Sequence, residues 1–258
     1  MGISGGSNQE TESTLPIVEL RGVHKRFGPQ VVLDGVDLKV LRGSSLAILG
    51  GSGTGKSVIL KILTGLLRAD RGEVRLFGTD ASRLSEKEWE PLRRRAGMLF
   101  QAGALFDSLS VGENVAFPLR ERKVSPDRIR QVVRERLDWV GLAGTEERSP
   151  SELSGGMRKR VALARTIVSD PELILYDEPT TGLDPLTSRR IAELIREIGD
   201  RMGTTSIVVT HDLISASVVA DSWVFLGDGR FLASGSPEEM RRSSPAEVRD
   251  FFEAGVFR

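Results

Sequence analysis

The residues with the plainest chemistry are Gly50-Gly51-Ser52-Gly53-Thr54-Gly55-Lys56-Ser57, which fit G-x-x-x-x-G-K-[ST] at every fixed position. Glycines admit backbone conformations closed to residues with a Cβ, so consecutive N–H groups can point inward at an anion. Lys56 adds a charge for the β- and γ-phosphates, and Ser57 offers a hydroxyl to Mg²⁺. A helix beginning near Gly55 contributes the positive end of its dipole. The stretch reads as a cradle for nucleotide phosphates.

Three further positions carry polar groups at the ends of apolar strands. Gln101 follows Met98-Leu99-Phe100, Asp177-Glu178 follow Leu173-Ile174-Leu175-Tyr176, and His211 follows the run Thr204 to Thr210. In a parallel sheet such ends gather at one edge and could converge on the cradle. A carboxylate after a buried strand suits Mg²⁺, and a second beside it could orient an attacking water. Taken singly, a Gln or His at a strand end is commonly structural; beside a phosphate cradle the three reinforce one another. Ser154-Gly155-Gly156 make a second anion candidate, with Ser154 as N-cap of a helix carrying Val161, Ala162, Ala164 and Ile167. Phe27, in the turn before Gly28, is either ordinary packing or a platform for a purine.

The elements that must hold these groups are read from the apolar pattern. Short strand-like runs occupy Ile17 to Leu20, Val31 to Val40 and Ser45 to Leu49, and a helix is expected from Val58 to Leu63. Gly72 to Gly78 reads as a strand. From Ala102 to about Ser169 the pattern is mostly helical, with Ile129, Val132, Val133, Leu137 and Val140 on one face, so an inserted helical subdomain is expected. A helix from about Pro185 to Met202, another over 213–220, strands over 222–227 and 230–234, and polar helices complete the chain. Strands interleaved with helices imply a mostly parallel sheet.

Composition narrows the classes. Lys plus Arg equals Asp plus Glu at 36 each across 258 residues, a net charge of zero, which gives no basic excess for nucleic acid. With no cysteine, thiolate metal sites, disulfides and cysteine nucleophiles are excluded. A membrane span needs about 18 consecutive apolar residues and no run approaches that, so any membrane role is peripheral. Residues 1–14 are almost free of apolar side chains, and a flexible tail over 1–15 is expected.

The order of these motifs resembles that of an ATP-binding cassette (ABC) ATPase from about Ile17 to Gly235. Gly50 to Ser57 match its Walker A, Gln101 its Q-loop and Leu153-Ser154-Gly155-Gly156-Met157 its LSGGQ-type signature, with Met157 in place of the commoner Gln. Leu173 to Glu178 match Walker B, Gly182-Leu183-Asp184 the D-loop and His211 the switch histidine. The resemblance implies an α/β fold: a P-loop NTPase (RecA-like) core of mostly parallel sheet, an antiparallel β subdomain and an inserted helical subdomain at about 102–169. It further implies an ABC domain over 16–242 and a C-terminal helical segment over 243–258. Within Pro245 to Arg258, Val248, Phe251, Phe252 and Val256 fall in a helix-like arrangement, expected to pack on the parent domain, with a partner or dimer contact as the alternative.

By that resemblance the cofactors are ATP and Mg²⁺, and two copies form a head-to-tail homodimer that sandwiches ATP between one cradle and the other copy's Ser154 to Gly156. Phe27 stacks on adenine, Lys56 neutralises phosphate, and Ser57, Gln101 and Asp177 organise Mg²⁺. Glu178 polarises the water, His211 contacts the γ-phosphate, and Asp184 reaches across the dimer. Because Glu178 is present, hydrolysis is expected rather than nucleotide sensing.

A narrower resemblance, to ATPases of the Mla (maintenance of lipid asymmetry) type, rests on Leu99 to Phe106, Glu113 to Glu121 and Ser151 to Met157. It implies phospholipid transport with a membrane permease docked near Gln101 to Leu119, an Mce-type substrate-binding protein and a small cytosolic regulatory subunit. The place implied is the cytoplasmic face of an inner membrane. Ala102 to Phe106 have a plainer alternative, packing of the helical subdomain on the core. The rival readings are a transporter ATPase for another cargo, such as amino acids, metal chelates or drugs, and a soluble ABC ATPase. Those of the repair class carry coiled-coil insertions and those of translation two cassettes, and a chain of this length has neither.

Overall fold

The computed structural model describes residues 15–243 and 245–256. The expected tail lies outside them except for Leu15. Long strands β1 (Pro16–Phe27) and β2 (Gln30–Leu41) pair antiparallel, and β4 (Arg71–Leu76) and β5 (Thr79–Asp80) continue the sheet in the order β2-β1-β4-β5. One face of β2 is buried through Leu33, Val36, Leu38 and Val40, as a sheet with a single covered face requires.

The second sheet is built from β3 (Ser45–Leu49), β6 (Ala96–Leu99), β7 (Leu173–Asp177), β8 (Thr205–Val209), β9 (Ser222–Gly227) and β10 (Arg230–Gly235). Its order is β10-β9-β3-β8-β7-β6, and every pairing is parallel except that of β10 with β9. Every residue of β7 and β8 is buried, because layers cover both faces of the sheet.

On one face, helix α1 (Lys56–Leu63) fills the space toward the antiparallel sheet, with Ile59, Leu60 and Leu63 packed among Leu20, Leu33, Leu46 and Leu175. On the other lie α3 (Val111–Glu121), α4 (Pro126–Trp139), α5 (Gly155–Ile167) and α6 (Pro185–Met202). A third cluster joins α7 (Leu213–Val219), α8 (Pro237–Ser243) and α9 (Ala246–Val256) to β9, with Val248 and Phe252 buried beside Trp223 and Met240.

Helix α2 (Glu86–Arg93) is absent from the periodicity reading. Its signal is local: the Ser85 backbone N–H donates to Glu88 Oε2 at 2.8 Å in a capping box, and Trp89 and Leu92 are its buried residues.

Candidate active site

Because β3, β6, β7 and β8 run parallel, the segments that follow them emerge at one edge of the sheet. Gly50 to Gly55 leave β3 and turn into α1 with positive φ at Gly50, Gly53 and Gly55 (151°, 79° and 104°). A Cβ on Gly50 would stand 2.4 Å from the Leu226 carbonyl oxygen, and one on Gly55 2.8 Å from Val32 Cγ1. Glycine is therefore required there by both conformation and space.

The loop closes over Lys56, whose ammonium donates to the carbonyls of Gly50 at 2.9 Å and Gly51 at 2.7 Å. A third N–H remains for a ligand. Burial pushes the Lys56 pKa below the usual lysine value, while the carboxylates of Glu178 and Asp177 act to raise it. Ser57 Oγ donates to Asp177 Oδ1 at 2.7 Å, placing two hard oxygen donors together next to the loop. That donor set suits Mg²⁺, which takes one or two protein oxygens and completes its shell from phosphate and water.

Glu178 has φ +48°, a left-handed conformation uncommon outside glycine. Its N–H donates to the Val209 carbonyl at 2.9 Å, which fixes the strained residue to the neighbouring strand. Its carboxylate accepts from Thr181 Oγ1 at 3.1 Å and Thr210 Oγ1 at 3.3 Å, and His211 Nδ1 stands 3.0 Å from both carboxylate oxygens. The carboxylate is aimed by three neighbours rather than by one.

Gln101, Glu178 and His211 line one cleft of about 1010 Å³ together with Gly51, Lys56 and Ser57. The strand ends thus converge on the cradle as the sheet argument requires. Phe27 does not line that cleft; it ends β1 with 46% of its surface exposed, and the Lys25 ammonium lies 5.5 Å from its ring centroid. Ser154 caps α5 by accepting from the Met157 N–H at 3.3 Å, and neither it nor Gly155 and Gly156 line the cleft. Asp184 caps α6, accepting from the N–H groups of Leu186 and Thr187 at 3.1 and 3.0 Å. The two caps are neighbours, since a Cβ on Gly156 would stand 2.9 Å from Thr187 Cγ2.

The sequence reading passed over Thr181, Thr210 and Lys159. Thr181 sits three residues after Glu178, a local signal; Thr210 is visible only as the polar residue closing an apolar strand. Lys159 is buried on α5, and its ammonium donates to the Gln101 carbonyl. Its signal was a lysine three residues before Ala162 on an apolar face. Phe251 and Ala254 of α9 also line the cleft, beside Ile214.

The profile of the ABC transporter family matches residues 33–181, more than half of the chain. The chain belongs to the ABC transporter family. It is an ATPase of that family, with ATP and Mg²⁺ as its cofactors. This ABC ATPase is similar to the intermembrane phospholipid transport system ATP-binding protein MlaF of Haemophilus influenzae, 42% identical over 236 residues, 91% of this chain and 89% of the relative. It is also similar to the probable ribonucleotide transport ATP-binding protein mkl of Mycobacterium leprae, 43% identical over 91% of this chain and 68% of the relative. Among solved structures it resembles the dimeric, post-hydrolysis state of the ATP-binding cassette MJ0796 bound to ADP and Pi. The TM-score is 0.78 at 32% identity, covering 85% of this chain and 98% of that one. Among the described residues no helix is long and apolar enough to cross a membrane.

Proposed function

We propose that this ABC ATPase powers a separate membrane permease that moves phospholipid between membranes, from the cytoplasmic face of an inner membrane. The likeness to MlaF across nine-tenths of both chains carries the cargo. The mkl likeness supports a second reading, ribonucleotide transport, over a smaller share of that relative. Reconstitution of the ATPase with its co-purifying permease in vesicles decides between them. ATP-dependent movement of labelled phospholipid, and no movement of labelled ribonucleotide, is expected; the reverse result overturns the phospholipid reading.

In the proposed mechanism two copies meet head to tail, each cradle facing the other copy's Ser154 to Gly156. Lys56 directs its remaining N–H at phosphate, and the loop N–H groups bind the anion. Ser57 and Asp177, with Gln101 reaching from β6, would hold Mg²⁺, which would neutralise charge on the phosphates. Glu178 accepts a hydrogen bond from the attacking water and orients it in line, its own direction set by Thr181 and Thr210. His211 contacts the γ-phosphate, and Asp184 reaches the partner copy. Phe27 offers an exposed face for adenine.

Permease docking is best supported by an apolar groove of about 220 Å³ whose lining includes Leu63, Leu66, Trp89, Leu92, Met98 and Phe100. Leu66 is 55% exposed, and Phe100, just before Gln101, is partly exposed. Phe100 of the groove directly precedes the segment Gln101 to Leu119, in which the exposed Phe106 and Phe117 stand with ring centroids 4.8 Å apart. An Mce-type protein and a regulatory subunit complete the proposed assembly, and capture from detergent extracts identifies them.

A further inference from the structure

The loop that follows β6 is bonded to the helical layer. Lys159, 7% exposed on α5, donates to the Gln101 carbonyl. Six residues further along the same helix, Arg165 donates to the carbonyls of Gly103 at 2.6 Å and Ala104 at 2.8 Å. The Asn114 amide on α3 donates to the Phe106 carbonyl at 3.0 Å, while its oxygen accepts from the Phe106 N–H at 2.8 Å. The fit is tight as well as polar, because a Cβ on Gly103 would lie 3.3 Å from Ala162 Cβ. Four carbonyls between Gln101 and Phe106 are thus held by side chains of α5 and α3.

Helix α5 is also the element whose N-terminus carries Ser154 to Gly156. From Gly155 to Lys159 it rises only roughly 6 Å, too short a length of helix to bend. Displacement of the N-terminus therefore arrives at Lys159 nearly undiminished. We propose that Lys159 is a positioning residue that ties Gln101 to the signature helix, so that engagement of one copy's Ser154 by the partner's nucleotide sets where Gln101 stands in the first copy's own cleft. Arg165 secures the rest of the loop to the same helix. Each site thereby senses whether the opposite site is filled. The inference rests on the proposed dimer and on Gln101 as a group that meets Mg²⁺.

The chain has no cysteine, so a nitroxide on Ala102→Cys reports the loop alone. In the full chain, Lys159→Met is expected to lower kcat about tenfold, as loss of an outer partner of a metal-binding group does, with KM for ATP nearly unchanged. It should also raise the Mg²⁺ concentration for half-maximal rate and sharpen the nitroxide spectrum as the loop is freed. Lys159→Arg, which keeps the donor, restores most of kcat. Arg165→Met, at a partly exposed position, gives the nitroxide change even where Lys159→Met does not fold. An unchanged kcat in folded Lys159→Met, a common fall in kcat and rise in KM with no rescue by Arg, or an unchanged nitroxide spectrum in both Met variants overturns the proposal. A wild-type protein without Mg²⁺-dependent phosphate release would instead overturn the functional reading, and the nitroxide spectra would still decide the tether.

Discussion

His211 Nδ1 lies 3.0 Å from each carboxylate oxygen of Glu178, although the two residues are 33 apart in sequence. An ionised carboxylate only accepts, so in this contact Nδ1 carries the proton. The imidazole and the threonine hydroxyls of 181 and 210 leave Glu178 little freedom to turn. Glu178→Gln keeps the shape and removes the proposed base, and phosphate release is expected to fall about 100- to 10,000-fold. Binding of a fluorescent ATP analogue should persist. Retention of turnover in that variant removes Glu178 from its role.

The Ser57 to Asp177 hydrogen bond leads to a separate expectation for the metal. Ser57→Ala and Asp177→Asn should shift the Mg²⁺ dependence of turnover to higher concentration, with a loss of about 10- to 100-fold at fixed Mg²⁺ for disturbing a ligand or its orienting partner. Titration of ATPase rate with Mg²⁺ measures it. Equal Mg²⁺ curves for wild type and both variants would place the cation elsewhere.

Gly55 combines φ 104° with contact to Val32, so Gly55→Ala must move either the loop or β2. Backbone strain of this kind costs about 1–3 kcal/mol. The expected outcome is a thermal midpoint lowered by several degrees and loss of nucleotide binding. Gly53→Ala, where no atom lies within 4 Å, is strained in conformation alone and should be milder.

Acid sensitivity is expected from Glu172, which bridges Arg95 and Arg42 at the opposite end of the sheet. The Arg95 guanidinium, with help from Arg42, holds its carboxyl down to about 2 against an ordinary 4.5. A lowered folded-state pKa means that the stabilisation is complete above about pH 4.5 and disappears as pH falls toward 2. Urea midpoints of wild type and Glu172→Gln should therefore differ at pH 7 and approach each other by pH 3. Because the group is partly exposed, the difference is modest. A gap that widens on acidification contradicts the assignment.

What could be seen in the sequence was the edge of the sheet. The apolar runs Leu46 to Leu49, Leu173 to Tyr176 and Ile207 to Val209 show in the sequence as the cores of β3, β7 and β8, and Gly50, Asp177 and Thr210-His211 follow them at that edge. The pairing of His211 with Glu178 could not be seen, because it depends on β8 lying beside β7, and strand order is a property of packing rather than of pattern. Lys159 was hidden for a different reason: a buried lysine interrupts the apolar face that identifies a helix, and its partner is a backbone carbonyl 58 residues away. Helix α2 escaped a reading based on periodicity, since two buried residues make no repeat, yet Ser85 and Glu88 announced it. The register of β1 on β2, with its shifts near Leu20 and Lys25, has no sequence signature at all.

The placement of Ser154 to Gly156 outside their own chain's cleft has a kinetic consequence. A lone copy owns both halves of the machinery and can use neither, so under the proposed pairing catalytic rate is second order in protein when copies are scarce. Dilution should silence the isolated subunit far more steeply than in proportion, whereas a permease that holds two copies at its surface would return the dependence to first order. Membrane attachment would then act as a switch for fuel consumption, keeping unassembled subunits from wasting ATP.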